Sequence, residues 1–150
     1  MSSLVKLDVH IIFHTKITGE EMREVDIPLI HRYMAGVIRN VGSIPICVGG
    51  VSNHVHILCS LPQTMSLSDF VRSVKANSSR WMKSLGAHYD NFEWQTGYGA
   101  FSVSPSILDK TVRYINNQAE HHKKISFRDE FMAFLSAYNV EYNSDYLWVD

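Results

Sequence analysis

The sequence predicts an α+β fold of the ferredoxin-like βαββαβ type, an antiparallel sheet with two helices on one face and additional C-terminal helices. Three observations lead to this prediction. Apolar residues alternate in the first segment, two short β-rich runs flank a glycine-rich turn near residue 50, and helical apolar patterns follow the first and third strands. The 150 residues suit one domain, 1–150, and 45% apolar against 19% charged residues is an ordinary globular composition.

The first strand and the first helix are indicated by a change of apolar period. One face of the opening segment carries Val5, Leu7, Val9, Ile11 and Phe13, whereas the other carries Lys6, Asp8, His10 and His14. This alternation predicts a strand with one buried face. From residue 21 to residue 40 the apolar spacing becomes helical, and Pro28 is expected in the first turn of the main helix.

The middle of the chain predicts a hairpin, a second helix and a fourth strand. Two β-rich runs, 44–48 and 54–59, flank the turn 49–53. The apolar pattern of residues 66–85 predicts the second helix, and a fourth strand is expected within 93–103.

The C-terminal third predicts helices and a packed tail. Ser104 and Pro105 favour a helix start, with the helix running to about Lys124. Ser126 is expected to cap a further helix, and the aromatic-rich tail 138–150 is expected to pack back on the domain. With two helices on one face of the sheet, the other face is expected to be free to hold a ligand or a partner.

Apolar runs, cysteines and charge indicate where the protein acts and which partners it has. No apolar run is long enough to cross a membrane, and no secretory signal is recognisable at the N-terminus. Cys47 and Cys59 lie in apolar runs and are expected to be buried thiols, which favours a cytoplasmic protein. The net charge of −1 argues mildly against a nucleic-acid partner, although basic residues outnumber acidic ones between Arg72 and Arg128.

Two histidines on the third predicted strand are candidate metal ligands. His54 and His56 are two residues apart, so their side chains point to the same face of the sheet. Two imidazoles held on a rigid strand can chelate a divalent metal. The alternative is two polar residues on a solvated strand face, and the pair alone does not decide between these interpretations.

A tyrosine and a glutamine are candidate site residues on the predicted 104–124 helix. Tyr114 and Gln118 are four residues apart and therefore share a face, and His121 and His122 continue roughly along it. Taken singly, Tyr114 would be a core residue with its hydroxyl at the rim, and Gln118 would be a surface residue.

The combination of His54-Val55-His56 with Tyr114-Ile115-Asn116-Asn117-Gln118 resembles the single-tyrosine HUH transposases of the small insertion sequences, the 200/605 type. It also resembles their domesticated relatives associated with repetitive extragenic palindromes. The resemblance covers nearly the whole chain, and its motifs lie at residues 10–16, 53–58, 74–81, 94–102, 114–122 and 141–148.

The resemblance implies a homodimer that acts on single-stranded DNA with hairpin structure, in which the tyrosine helix of one subunit completes the metal site of the other. It implies that His54 and His56 are the HUH pair, that Gln118 is the third metal ligand and that Tyr114 is the nucleophile. The cofactor is expected to be a divalent metal, Mg²⁺ or Mn²⁺. Magnesium prefers oxygen ligands and manganese accepts imidazole more readily, so either ion could serve. Attack by Tyr114 would give a covalent 5′-phosphotyrosine and release a 3′-hydroxyl.

The second predicted helix carries candidate DNA-binding residues. Four polar side chains at three- or four-residue spacing are expected to contact phosphates: Arg72, Lys75, Ser79 and Lys83. Trp94, Tyr98 and Phe101 could stack on unpaired bases, although the core is the commoner place for such aromatic residues.

Two other functions are compatible with the predicted fold. A ferredoxin-like nucleic-acid binder without cutting activity would explain the fold and the aromatic residues, but not the joint occurrence of the two histidines, Tyr114 and Gln118. A structural zinc domain would predict metal binding coupled to folding, with no dependence on Tyr114. The four residues together favour the transposase.

Overall fold

The computed structural model describes residues 1–148 and contains one four-stranded antiparallel sheet with strand order β2-β3-β1-β4. The strands are β1 (Asp8–His14), β2 (Pro45–Val51), β3 (His54–Ser60) and β4 (Gly99–Val103). Helices α1 (Ile27–Asn40) and α2 (Leu67–Met82) are inserted after β1 and β3. This element order and this strand order confirm the predicted ferredoxin-like α+β fold.

Four further helices follow β4: α3 (Leu108–Asn116), α4 (Gln118–His121), α5 (Phe127–Ala137) and α6 (Ser144–Leu147). The predicted cap at Ser126 is confirmed, because its hydroxyl accepts a hydrogen bond from the backbone N–H of Asp129, and Ser66 caps α2 in the same way. The capping hydroxyl expected at Ser104 was wrong, because this side chain makes no cap hydrogen bond and lies instead against the hydroxyl of Ser106. Pro28 lies in the first turn of α1. Within residues 1–148, no helix combines the length and the apolar character that a membrane span requires.

One face of the sheet packs against α1 and α2 and forms the main core. Alternate residues of β1 and β3 point into it, and they meet the apolar sides of the two helices. Its central members are almost fully buried: Ile11, Phe13, Ile30, Met34, Ile38, Val55, Ile57, Phe70, Val74 and Met82. Burial of this many large apolar side chains is the dominant favourable term in the folding of such a domain.

The other face of the sheet is covered as well, so the expectation of a free face was wrong. Helices α3 and α5 lie over it, with Phe127 and Phe131 against Ile12 and with Ile115 against Leu58. As a result β1 is buried on both faces, and His10 is only 2% exposed. The alternation in β1 could not reveal this cover, because the C-terminal helices that provide it lie far away in the sequence.

The hairpin between β2 and β3 is present, but its turn lies at Ser52 and Asn53, and both glycines belong to β2. Gly49 has a packing role, because a Cβ atom at this position would lie 2.6 Å from the carbonyl oxygen of Ile115 in α3. The missing side chain therefore allows α3 to lie directly on β2.

The predicted helix from Ser104 to Lys124 is interrupted. A 3₁₀ turn (Pro105–Ile107) precedes α3, and Asn117 separates α3 from α4. Asparagine favours such interruptions, since its side chain competes for backbone hydrogen bonds. The expected packing of the tail is found only in part: Tyr138 donates to the carbonyl of Ser102, and Leu147 and Trp148 pack beside Phe127 and Phe131, whereas Tyr142 and Tyr146 are exposed. Val149 and Asp150 lie outside the described residues.

Candidate metal and nucleophile site

His54 and His56 lie on the face of β3 that α3, α4 and α5 cover. Both are fully buried, and their ring centroids are 5.1 Å apart. Strand β3 is hydrogen-bonded on both sides, to β2 and to β1. The two imidazoles are therefore held on the most rigid part of the sheet, as a metal site requires.

Tyr114 and Gln118 meet the two histidines within the same chain. Gln118 is 1% exposed, and its Oε1 lies 3.0 Å from Nε2 of His54. Tyr114 lies in the last turn of α3, with its ring edge-on to His56 at 5.8 Å between centroids. The structure thus brings together all four residues that the sequence singled out, despite the interruption at Asn117. The predicted homodimer with a shared site stays a prediction, since the contacts described are those of a single chain.

Glu130 of α5 is a central site residue that the sequence analysis missed. Its Oε1 lies 3.1 Å from Nε2 of His56 and 3.2 Å from Nε2 of His122, and its Oε2 accepts hydrogen bonds from the Tyr114 hydroxyl and from Gln118 Nε2. The sequence contained an indication of this role, because the helical spacing of residues 127, 130, 131 and 134 places Glu130 on the same apolar stripe as three phenylalanines. A carboxylate on such a stripe is rarely buried without a partner.

Two imidazoles turn their Nε2 atoms toward the centre of the site. Nδ1 of His54 lies 2.7 Å from Oδ1 of Asn53, and Nδ1 of His122 lies 2.8 Å from the carbonyl oxygen of Ile125. An oxygen of this kind only accepts, so each Nδ1 is a donor, and each Nε2 is turned toward Glu130 Oε1, at 3.4 and 3.2 Å. A ring with its one proton on Nδ1 offers the lone pair of Nε2 to a cation, whereas a ring that also carries a proton on Nε2 donates it to the carboxylate.

The donor set fits a divalent metal. His54, His56, His122 and Glu130 each offer an atom within 4.8 Å of the others, and Gln118 adds an amide oxygen beside His54. Imidazole nitrogens with carboxylate and amide oxygens are ligands that transition metals such as manganese accept.

Outer contacts fix the orientation of the histidines. Nε2 of His10 lies 2.7 Å from Nδ1 of His56, so one ring donates to the other. Burial, together with the charge of His56, lowers the pKa of His10 to about 3, which keeps its ring neutral. Partners of this kind set the tautomer and the ring orientation of metal ligands.

The site shifts the pKa values of its carboxylate and its phenol in opposite directions. Burial by itself would raise the pKa of Glu130, but hydrogen bonds with His54 and His56 outweigh it and hold the pKa far below the usual carboxyl range. Burial and the hydrogen bond to Glu130 both raise the pKa of the Tyr114 hydroxyl. In the absence of a cation, Tyr114 is therefore a protonated phenol and Glu130 is an anion.

The rim of the site lies on the side of Tyr114 and His121. The His121 side chain is 29% exposed, and its Nε2 lies 3.4 Å from the Tyr114 hydroxyl. A substrate can approach Tyr114 from this side, whereas the sheet closes the site below.

Three of the candidate DNA-binding residues, Arg72, Lys75 and Ser79, lie on α2 and border a groove beside the 91–98 loop, whereas Lys83 lies in the 3₁₀ turn that follows α2. Lys75 donates to the carbonyls of Gln95 and Gly97, and Lys83 donates to that of Phe92, 3.0 Å away. Burial lowers the pKa of Lys75 to about 8. These two ammonium groups hold the loop against α2, so any contact that they make with DNA is in addition to a structural role.

The other candidates in this region differ in exposure. Arg72 is paired with Asp69 at 2.9 Å, and its side chain is 75% exposed, so it is accessible to a phosphate. The hydroxyl of Ser79 donates to Phe92. Of the three candidate stacking residues, Trp94 and Phe101 are buried in the core, and only Tyr98 is exposed.

Comparisons with known proteins identify the family and the fold of this chain. The model of the family described as transposase IS200-like matches residues 3–118, which include His54, His56, Tyr114 and Gln118 but not α5. None of the curated proteins has a significant sequence match to this chain.

Among the solved structures with the same fold is a crystal structure described as that of a transposase from Deinococcus radiodurans R1. It has 22% identity and a TM-score of 0.61, over 79% of this chain and 95% of that one. Another is the REP-associated tyrosine transposase bound to a REP hairpin, with 13% identity and a TM-score of 0.59, over 100% of this chain and 98% of that one. At these identities the two structures establish only the shared fold. The family match over residues 3–118 establishes that this chain belongs to the family of IS200-like transposases.

Proposed function

We propose that this chain, 1–150, is a single HUH endonuclease domain that cuts and rejoins single-stranded DNA, with Tyr114 as the nucleophile. The observation that carries the proposal is the position of the Tyr114 hydroxyl at the accessible rim of a cluster of metal-ligand atoms, where it touches Glu130. A structural zinc site or a DNA-binding surface would give no reason for a phenol at this position.

The reaction would be a transesterification. Tyr114 Oη forms a bond to the phosphorus while the bond from phosphorus to the 3′ oxygen breaks, and the phenol proton passes to the 3′ oxygen, directly or through solvent. The product is a 5′-phosphotyrosine and a free 3′-hydroxyl. One ester replaces another, so the later rejoining step requires no ATP.

His54, His56 and Gln118 would hold the divalent metal, with His122 and Glu130 as further donors. When bound, such a cation polarises the phosphodiester and stabilises the negative charge that develops during attack. Three imidazoles favour Mn²⁺ over Mg²⁺, because magnesium prefers a shell of oxygen ligands. The surrounding sheet excludes bulk water, which strengthens the charge interactions inside the site.

The DNA would lie across the rim of the site and along the groove beside α2. Arg72 has an exposed side chain that would meet a phosphate, while Lys75, Ser79 and Lys83 would act near the loop that they hold. The fold shared with a REP-associated transposase bound to a REP hairpin supports a hairpin as the recognised element. The homodimer implied by the family resemblance is part of this proposal, and sedimentation at micromolar concentration tests it.

The test is incubation of the protein with single-stranded hairpin oligonucleotides from the DNA flanking its gene, with Mg²⁺ or Mn²⁺. A covalent protein–DNA adduct on a denaturing gel is expected with the native protein and with Tyr146→Phe, which removes an exposed hydroxyl elsewhere. Tyr114→Phe should fold normally and give no adduct. Binding of both flanks with no adduct under any condition would instead indicate a non-cutting ferredoxin-like nucleic-acid binder.

A further inference from the structure

The two oxygens of the Glu130 carboxylate face different halves of the site. Oε1 lies among the imidazoles, 3.1 Å from Nε2 of His56, 3.2 Å from that of His122 and 3.4 Å from that of His54. The side chain is 2% exposed, so neither oxygen can satisfy its lone pairs with bulk water. On this side the carboxylate faces atoms that a cation would bind.

Oε2 lies on the side of the nucleophile. It accepts hydrogen bonds from the Tyr114 hydroxyl and from Gln118 Nε2, the latter at 2.9 Å. Both groups are donors with protons to give, so this side of the carboxylate needs no cation. Nε2 of His121, which is not part of the cluster of metal-ligand atoms, lies 3.3 Å from Oε2 as well. Oε1 therefore meets the ligand nitrogens, whereas Oε2 meets the phenol, the amide and the His121 ring.

We propose that Glu130 is a bridging carboxylate, a metal ligand through Oε1 and a positioning residue for Tyr114 through Oε2. The inference rests on the proposed function for its catalytic half, whereas its metal-binding half is independent of it. One rigid group then fixes the distance between the cation and the attacking oxygen. Such fixed geometry can supply a large part of a rate enhancement, because the reacting atoms need no further ordering.

The position of Glu130 on α5 gives this bridge a structural basis. The carboxylate lies in the first turn of a helix that Ser126 caps, with Phe127 and Phe131 anchored on the sheet on either side. The helix N-terminus favours a negative charge in this turn. Helix α5 lies beyond residues 3–118, so this ligand is supplied by a part of the chain outside the segment that the family shares.

The substitution Glu130→Gln separates a bridge from a single contact. An amide has one oxygen and one NH₂ group, so only one side of residue 130 can accept or ligate. If its oxygen faces the imidazoles, the NH₂ group meets two donors, Tyr114 and Gln118. If it faces Tyr114, the NH₂ group meets the ligand nitrogens and opposes a cation. Asp129→Asn is the matched control, since Asp129 is an exposed carboxylate in the same turn.

The first readout is metal binding by the protein without DNA. Titration with Co²⁺, followed by its visible absorption, reports the affinity and the ligand field, and Mn²⁺ binding is measured by electron paramagnetic resonance. The native protein and Asp129→Asn should bind one ion alike, whereas Glu130→Gln should bind at least about tenfold more weakly and with an altered Co²⁺ spectrum. Unchanged affinity and spectrum in Glu130→Gln would overturn the ligand role.

The second readout is the rate of adduct formation at saturating Mn²⁺. Glu130→Gln should remain at least about tenfold slower there, because the positioning of Tyr114 is lost even when the metal is bound. A normal rate at saturating metal would overturn the bridge. If Glu130→Gln does not fold by circular dichroism, Glu130→Asp serves in its place, since its shorter side chain cannot reach both halves. Absence of an adduct in the native protein would refute the proposed function, and the Co²⁺ titration would still decide whether Glu130 is a ligand.

Discussion

The two faces of one strand, β3, differ completely in chemistry although both are buried. Val55 and Ile57 point toward α1 and α2 and meet only apolar side chains, whereas His54 and His56 point toward α3, α4 and α5 and meet polar atoms. The apolar face stabilises the domain, and the polar face holds side chains that could bind a metal in fixed positions. Because both faces belong to one strand, packing of the apolar face also holds the histidines in place. Substitutions of neighbouring residues on β3 can therefore test stability and chemistry separately.

His56→Ala should have the largest effect, on chemistry. Loss of this imidazole removes a proposed metal ligand and one partner of Glu130, so adduct formation per folded molecule should fall by about a hundredfold or more. Even the outer partners of metal ligands are worth about 10–100-fold in affinity or activity. The adduct assay and the Co²⁺ titration measure the effect, and an adduct rate within threefold or so of the native value would remove His56 from the site.

Ile57→Ala should have the opposite profile. Its side chain is fully buried against the α1 and α2 layer, so its truncation should lower the free energy of unfolding by about 2–5 kcal/mol. Denaturant unfolding measures this loss. The adduct rate of the folded fraction should stay close to the native rate, because the side chain points away from the site. A loss of rate as large as that of His56→Ala, in protein that is still folded, would contradict the separation of the two faces.

Protonation of His31 should have the smallest effect on stability. This histidine tests the effect of burial on a pKa in the absence of a hydrogen-bond partner among the described residues. It lies on α1, its Nε2 has no hydrogen-bond partner among residues 1–148, and burial lowers its pKa from 6.5 to about 4. The folded state therefore resists protonation, so the stability that His31 supports is complete above pH 6.5 and is lost as the pH falls toward 4. The loss is at most about 3 kcal/mol.

Comparison of His31→Gln with the native protein isolates this contribution. Urea unfolding of both proteins at pH 7 and pH 4.5, with a chelator present, should show a shallower decline for the variant. Parallel pH profiles would mean that His31 is hydrated or paired in solution.

Local patterns predicted much of this molecule. The strands, the two main helices and the Ser126 cap follow from apolar period and from capping residues, which act over a few positions. The pairing of His54 with His56 follows from strand geometry. That Tyr114 and Gln118 would join them was implied by the resemblance, and this arrangement is present in the structure, although Asn117 interrupts the helix that was expected to carry both.

The sequence by itself determined the fold class and two histidines on one face of a strand, because each follows from apolar periods within short segments, and the resemblance of its motifs indicated the family. Only the tertiary structure decided that this face is buried, that His10 supports His56 across 46 residues, and that Glu130 reaches His56 across 74. A buried carboxylate at the centre of a ligand set depends on where α5 packs. That position results from apolar contacts between distant parts of the chain, which no local period records.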